Sequence, residues 1–345
     1  MKPSQTATLF PGIIINIIVV YVLKELRMIF VPLLLATLLT FLFGPWVRKL
    51  AQKGIPLWLV LLILVVVLCL LIPMLSTLIY ANAMSFADKF TSDYEPKLIG
   101  LFEGALKTFS IPQQDVQNYV DKLNWNEVIS KFSVPKILSK TLGSVVDFLV
   151  DILLVLVFML FILAGWSRLL QRIGKAYDSD RAQQIVRVIT SVERRTQTYL
   201  LAKTLLSLGT ALAVMGILLL FGVDFVIICG LLIFLLSYIP NFGSILATIF
   251  PILLCFMEFG FGWRLPFLAV SLIGLHTVFG NVLEPMMMGK GLNLSPLVVM
   301  LSLIFWGWMW GIVGMVLAVP LTATVKIIFE EIESLRPYAV LMSQE

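Results

Sequence analysis

The stretch HTVFGNVLEPMMMGKGLNLSP, residues 276–296, holds the only histidine of the chain, a glutamate followed by proline, and a Gly-Lys-Gly triplet, with long apolar runs on either side. A carboxylate at membrane depth costs at least about 2.5 kcal/mol, so its presence there is by default a functional signal. Glu284 could bind a cation, carry a proton, or accept hydrogen bonds from a polar solute. Equally, it could sit at the membrane interface, paired with Lys290 or a neighbouring arginine, with no part in transport. His276, Gly280 and Glu284 are spaced i, i+4, i+8, which predicts one shared helix face. Asn281 lies three residues before Glu284, one turn away. Pro285 predicts a helix end at Glu284, because a residue before proline is pushed out of helical geometry. A lone histidine in mid-helix is more often a packing residue than a ligand. Gly289-Lys290-Gly291 lacks the preceding strand, the further glycine and the following Ser/Thr of a phosphate loop. It reads instead as a turn that lets the chain fold back.

The elements that must position these residues are set by composition. The chain has 345 residues, 60% of them hydrophobic and only 13% charged, with a mean hydropathy of +1.01. A soluble domain carries about 25% charged residues. Apolar runs near 20 residues match a roughly 30 Å hydrocarbon core, and the alternating ~10-residue segments of a β-barrel are absent. The expected fold is therefore all-α: a polytopic integral membrane protein of about eight helical segments. Candidate spans fall at 9–23, 28–47, 57–80, 143–164, 203–221 and 264–283, with two longer apolar regions at 225–257 and 294–329. The N-terminal run lacks a small-residue cleavage site and reads as a retained first helix. Cys69, Cys229 and Cys255 lie in apolar surroundings and read as core filler.

Charge orients the chain. Residues 165–203 carry eight basic side chains (Arg168, Arg172, Lys175, Arg181, Arg187, Arg194, Arg195, Lys203) against three acidic ones. With Arg48, Lys49 and Lys53 they mark the cytoplasmic side and place the N-terminus inside. Residues 83–140, with seven basic and seven acidic side chains, fall outside the cytoplasm as an insert of short amphipathic helices. The interleaved charge of RAQQIVRVITSVERRTQTYLLAKT (181–204) suits a helix along the inner surface. The expected organisation is N-terminal transmembrane helices over 1–82, the insert over 83–140, and a transmembrane plus a cytoplasmic amphipathic helix over 141–202. A transport core over 203–333 and a tail over 334–345 complete it.

Both long apolar regions are interrupted. Region 225–257, 33 residues, is broken by YIPNFGS at 238–244; region 294–329, 36 residues, is broken by GWMWG at 307–311. Proline removes a backbone donor and glycine frees the chain to leave helical geometry. Each region predicts a helical hairpin or re-entrant pair, and paired Gly/Pro-interrupted segments point to a transporter's binding site. Asp147 and Asp151 share a helix face near a span end, Asp224 falls in a short inter-helix turn where water would solvate it, and Trp306, Trp308 and Trp310 read as packing or interfacial residues.

No phosphate loop, HExxH or GxSxG occurs, and one histidine supports no multi-histidine metal site. The chain is not expected to be an enzyme, and neither cofactor, metal nor nucleic acid is implied. Its expected partners are the lipid bilayer and a small-molecule or ion substrate.

Three motifs, YIPNFGSILA (238–247), FGNVLEPMMMGKGLNLSPLVV (279–299) and WGIVGMVLAVPLTATVK (310–326), resemble the autoinducer-2 exporter family of bacterial membrane proteins. SLIFWGW (302–308) resembles the branch that exports the quorum-sensing signal itself. The resemblance is strong over about 200–330 and extends by layout to the rest. It implies an inner-membrane protein, a homo-oligomer for which a pentamer is one candidate, and transport of small molecules. Other members are described as sodium or lithium/proton antiporters. Carried over residue by residue, it marks Tyr238, Pro240, Asn241, Gly243, Asn281, Glu284, Pro285, Gly289 and Gly291. Where several relatives carry a charge after Glu-Pro, this chain has Met286-Met287-Met288. In the exporter reading, Tyr238, Asn241 and Asn281 bond solute hydroxyls and Glu284 couples to a proton or cation. Pro240, Gly243, Pro285, Gly289 and Gly291 shape and hinge the breaks. The alternatives are a monovalent cation/proton antiporter and a non-transporting oligomeric scaffold.

Overall fold

The computed structural model describes residues 18–94, 96–97, 100, 134–240, 242–288 and 293–344. Most of the expected insert, Asn241, Gly289, Lys290 and Gly291 lie outside the described residues. Among the described residues the chain is helical, without strands; a single isolated bridge pairs Leu294 with Ser343. The cause is the solvent: hydrocarbon cannot satisfy backbone N–H and C=O groups, so apolar segments must satisfy them internally. In order come α1 (18–25), α2 (Arg27–Gln52), α3 (Leu57–Lys89) and a π turn at Phe90–Tyr94. Next are α4 (Val134–Ala176), α5 (Ser179–Phe221), α6 (Val226–Leu236) and α7 (Phe242–Phe259). The chain continues through α8 (Arg264–Thr277), a second π turn (Val278–Leu283), α9 (Glu284–Met288), α10 (Pro296–Glu331) and α11 (Arg336–Leu341). The basic segment 165–203 is divided between the end of α4 and the start of α5.

Two compact units divide the chain, one of Met1–Ile63, Leu149–Ala202 and Met288–Glu345, the other of Leu64–Phe148 and Lys203–Met287. In the first, Leu38, Phe41, Val192, Leu317 and Ile327 form the core, with Trp166 edge-on to Phe41 at 6.1 Å. Here α10 is no straight span, although its length and apolar character would allow one. A straight helix would put residues 293 and 326 about 50 Å apart, yet Lys326 Nζ donates to the Asn293 carbonyl at 2.5 Å. Trp306 Nε1 likewise reaches Thr322 Oγ1 at 3.3 Å. The reversal occurs at Trp310 (φ −130°, ψ 15°) and Gly311 (φ 65°, ψ −142°). Gly311's angles are close to reserved for glycine. The expected hairpin is present, and its break sits within the GWMWG motif. Trp306 and Trp310 pack together 4.9 Å apart, and Trp310 Nε1 donates to the Leu23 carbonyl at 3.1 Å, whereas Trp308 is 58% exposed with Lys24 4.0 Å over its ring. Lys326, 1% exposed, is also 3.5 Å from Glu330, which pairs with Arg195 at 2.7 Å.

The second unit is built on a core of Val214, Leu218, Cys229, Ile233, Leu254, Cys255, Leu268 and Leu272. Members from both α6 and α7 lie in this one cluster, so 225–257 is folded as a hairpin whose arms are each shorter than a span. With lipid as apolar as leucine, such packing rests on close contact rather than on expulsion of water. At Gly230 an added Cβ would meet the Met215 sulfur at 2.4 Å.

Candidate functional site

α5 carries Lys203 and Thr204 at the point where it enters its apolar run. Successive helix residues point about 100° apart, so the two side chains address different neighbours. Lys203 Nζ lies 2.7 Å from Glu284 Oε1. Thr204 Oγ1 and the Tyr238 hydroxyl are hydrogen-bonded at 2.8 Å. One dipeptide of α5 thus holds both motifs singled out from sequence, the α6–α7 break through Tyr238 and the Glu-Pro segment through Glu284. All four residues belong to the second unit.

The Lys203 side chain is 7% exposed and the Glu284 side chain 33%. A buried ammonium is tolerated only with a counter-charge, and Glu284 supplies it. The sequence alternatives for Glu284 name Lys290 or an arginine. The described partner is instead Lys203, which charge counting assigns to the cytoplasmic cluster. Its signal is visible in YLLAKTLLS (199–207), a lysine flanked on both sides by apolar residues.

Two expectations about the Glu-Pro segment are corrected. The helix does not end at Glu284 but continues to Met288, and the residues before it form the π turn Val278–Leu283. An α-helical Pro285 would leave the carbonyl four residues back without its donor and crowd it with the ring. A wider turn just before the proline relieves both, and π turns of this kind recur at functional sites. The extra residue also rotates α9 relative to α8 by roughly 100°, so His276, Gly280 and Glu284 do not share the single face that α-helical spacing predicts. Asn281 is exposed. Phe279 packs where an added Cβ on Gly209 would come within 3.1 Å, so the π turn lies against α5. His276 is not the satisfied packing residue expected: its Nε2 is buried without a hydrogen-bond partner among the described residues, as is Ser207 Oγ, one turn beyond Lys203.

The break itself keeps its backbone bonded. Tyr238 N–H donates to Leu235, Ile239 N–H to Leu236 and Gly243 N–H to Ile239, at 3.3, 2.9 and 3.1 Å. Pro240 occupies the turn and Gly243 its exit, where a Cβ would stand 1.7 Å from the Leu236 carbonyl oxygen. The Tyr238 ring lies edge-on to Phe234 at 5.7 Å. Tyr238→Phe should keep that packing and remove the bond to Thr204 Oγ1, costing about 1 kcal/mol. Unfolding midpoints of the purified protein in detergent check this.

A helical membrane protein with two interrupted hairpins and a charge pair beside one of the breaks has the architecture of a transporter. The sequence profile of AI-2E family transporters matches residues 13–334, and the chain belongs to this family. A candidate transport protein of Haemophilus influenzae is 34% identical over 340 residues, 96% of this chain and 94% of its own. The AI-2 transport protein TqsA of Escherichia coli is 34% identical over 317 residues, 91% of this chain and 89% of its own. A candidate transport protein of Borreliella burgdorferi is 25% identical over 343 residues, 99% and 92% of the two chains.

Proposed function

We propose that the protein is a secondary exporter of autoinducer-2, a small, neutral, polyhydroxylated signal, across a bacterial inner membrane. In this reading the N-terminus is cytoplasmic, the protein takes part in quorum sensing, and it works as a homo-oligomer, with a pentamer as one candidate. The observation that carries the reading is the Lys203–Glu284 pair beside the Thr204–Tyr238 hydrogen bond. Tyr238 and Thr204 offer hydroxyls that can exchange their mutual bond for bonds to a sugar-like solute. Asn241 and Asn281 are assigned the same task, Asn281 reaching solute from the surface side of the π turn. Glu284 is the coupling group. Protonating it removes the counter-charge of a buried Lys203, and the stranded ammonium then favours a rearranged state. Pro240, Gly243, Pro285, Gly289 and Gly291 set the bends about which that rearrangement occurs. The likeness to TqsA, described as an AI-2 transport protein, supports the choice of solute.

The test is efflux from vesicles loaded with autoinducer-2. Saturable loss above protein-free vesicles is expected, and none would remove autoinducer-2 as a direct substrate. Glu284→Gln separates the alternatives. A sodium or lithium/proton antiporter loses exchange altogether, a neutral-solute exporter loses its response to a pH gradient, and a scaffold is indifferent.

A further inference from the structure

The opposite end of the second unit, roughly 27 Å from Lys203 along α5, carries a separate polar cluster. Asp224 lies in the turn after α5 with its side chain 39% exposed, as a solvated turn residue would, and it also has partners. It forms an ion pair with Lys89 at the end of α3, and its N–H donates to Glu258 Oε2 at 3.1 Å. Lys97 Nζ donates to the Glu258 carbonyl oxygen at 2.8 Å. Tyr94, in the π turn after α3, is 2% exposed, with its ring 6.2 Å from Phe86, which packs edge-on to Phe225 at 5.6 Å. Its hydroxyl is buried and has no hydrogen-bond partner among the described residues. Three separate pieces of chain, 89–94 with Lys97, the turn after α5 and the last turn of α7, thus meet around two carboxyls, two lysines and an unused phenol.

We propose that this cluster is a proton-binding site, in which Glu258 holds, beside Asp224, a proton whose loss releases residues 89–94 and Lys97 from α7 and the turn after α5.

With the proton bound, the Glu258 carboxyl is neutral and Asp224 keeps its charge for Lys89. When the proton leaves to water, Glu258 becomes a second carboxylate at the turn whose N–H it accepts and whose Asp224 side chain is already charged, and like charges held close oppose ionisation. Lys89 is already paired with Asp224 and Lys97 is held on the Glu258 carbonyl oxygen, so the buried Tyr94 O–H, without a partner among the described residues, is the donor left for the newly charged Glu258. Burial, reinforced by Asp224, lifts the Glu258 carboxyl to about 7 from its ordinary 4.5, against the opposing pull of the Asp224 N–H and Lys89. The hydrogen bond from Lys89 holds Asp224 below its ordinary 3.8. Burial, then Glu258, Asp224 and Asp93, push the Tyr94 phenol to about 12, so it stays a donor throughout. Among the described residues, the charged and titratable groups around Glu258 are Asp93, Tyr94, Lys89, Lys97 and Asp224, with Cys255 on its own helix and Arg264, stacked 4.2 Å over Phe259, at the start of α8.

Glu258 titrates higher folded than unfolded, so by linkage the protein gains a stabilising proton that is fully present below 4.5 and lost as pH rises through about 7. Asp224, titrating lower when folded, contributes stability that is lost only as pH falls below 3.8. The window from pH 6 to pH 8 therefore reports Glu258. Its physiological meaning rests on the exporter reading, where this end faces the acidic exterior and takes up the proton that drives export.

The experiment is hydrogen–deuterium exchange of the full chain in detergent, monitored in peptides covering 86–94 at pH 6 and pH 8 and corrected for chemical exchange. Protection in the wild type should fall about tenfold, the change in proton occupancy for a group titrating near 7. Glu258→Gln should stay protected at both values. Tyr94→Phe, which keeps the ring and removes the donor, should move the midpoint to higher pH. A wild type indifferent to pH, a glutamine variant that responds as the wild type does, or an unmoved midpoint in Tyr94→Phe would overturn the assignment. Efflux is measured separately. Its absence would remove the exporter reading and leave the exchange result to decide the proton site.

Discussion

Glu284→Gln is expected to destabilise the protein more than Lys203→Met, although both break the same pair. The asymmetry comes from burial. Removing the carboxylate strands an ammonium whose side chain is 7% exposed, a loss of about 3–5 kcal/mol. Removing the lysine leaves a carboxylate that is 33% exposed and still open to water, while methionine keeps the volume of the stem, for about 1–3 kcal/mol. Apolar or neutral replacement of a whole buried pair is often close to neutral. The double variant Lys203→Met/Glu284→Gln should therefore approach wild-type stability and yet lose coupling. Unfolding midpoints in one detergent, at one pH, decide this. Equal losses in the two single variants would place the pair in water and remove the basis for a coupling role.

Gly243→Val and Gly314→Val should each abolish accumulation of folded protein. A Cβ at Gly243 would stand 1.7 Å from the Leu236 carbonyl oxygen, and one at Gly314 would stand 1.9 Å from that of Trp306. Both obstacles are backbone, which cannot rotate aside as a side chain can. The hairpins would have to open, at a cost above the about 1–3 kcal/mol of ordinary overpacking. Gly216 and Gly274 meet nothing within 4 Å and lie inside helices. Their alanine variants should be neutral or gain up to about 1 kcal/mol. Size-exclusion profiles and yields from membranes compare the four. A well-folded Gly314→Val would mean that α10 does not reverse as tightly as its contacts require.

Much of this architecture is readable from residue type alone. Apolar length and the scarcity of charge specify helices in lipid, and Gly311, Gly243 and Pro240 mark the hairpins because no other residues serve those turns as well. Features contingent on tertiary neighbours escape such reading. The π turn at Val278–Leu283 depends on Pro285 and on Phe279 finding room beside Gly209, and no periodicity announces it. That turn also breaks up the one polar face that a uniform helix would present. Lys203 is counted with the cytoplasmic charges because a positive-inside count sums along the chain and is blind to which face of α5 a lysine occupies. The Asp224–Lys89 pair escapes because its members lie 135 residues apart in sequence. His276 Nε2 and Ser207 Oγ are buried without hydrogen-bond partners among the described residues, which only the packing of the second unit reveals.

The central claim, that Glu284 and its buried lysine couple proton entry to the exit of a small polar solute, is tested most directly by recording both fluxes in the same vesicles. Vesicles loaded with autoinducer-2, holding purified protein and a lumenal pH dye, are diluted into acidic buffer. A proton-coupled exporter gives saturable solute loss together with lumenal acidification, and Glu284→Gln removes the link between them. Sodium-dependent pH change without solute loss, or a Glu284→Gln variant that couples the two fluxes as the wild type does, would contradict it.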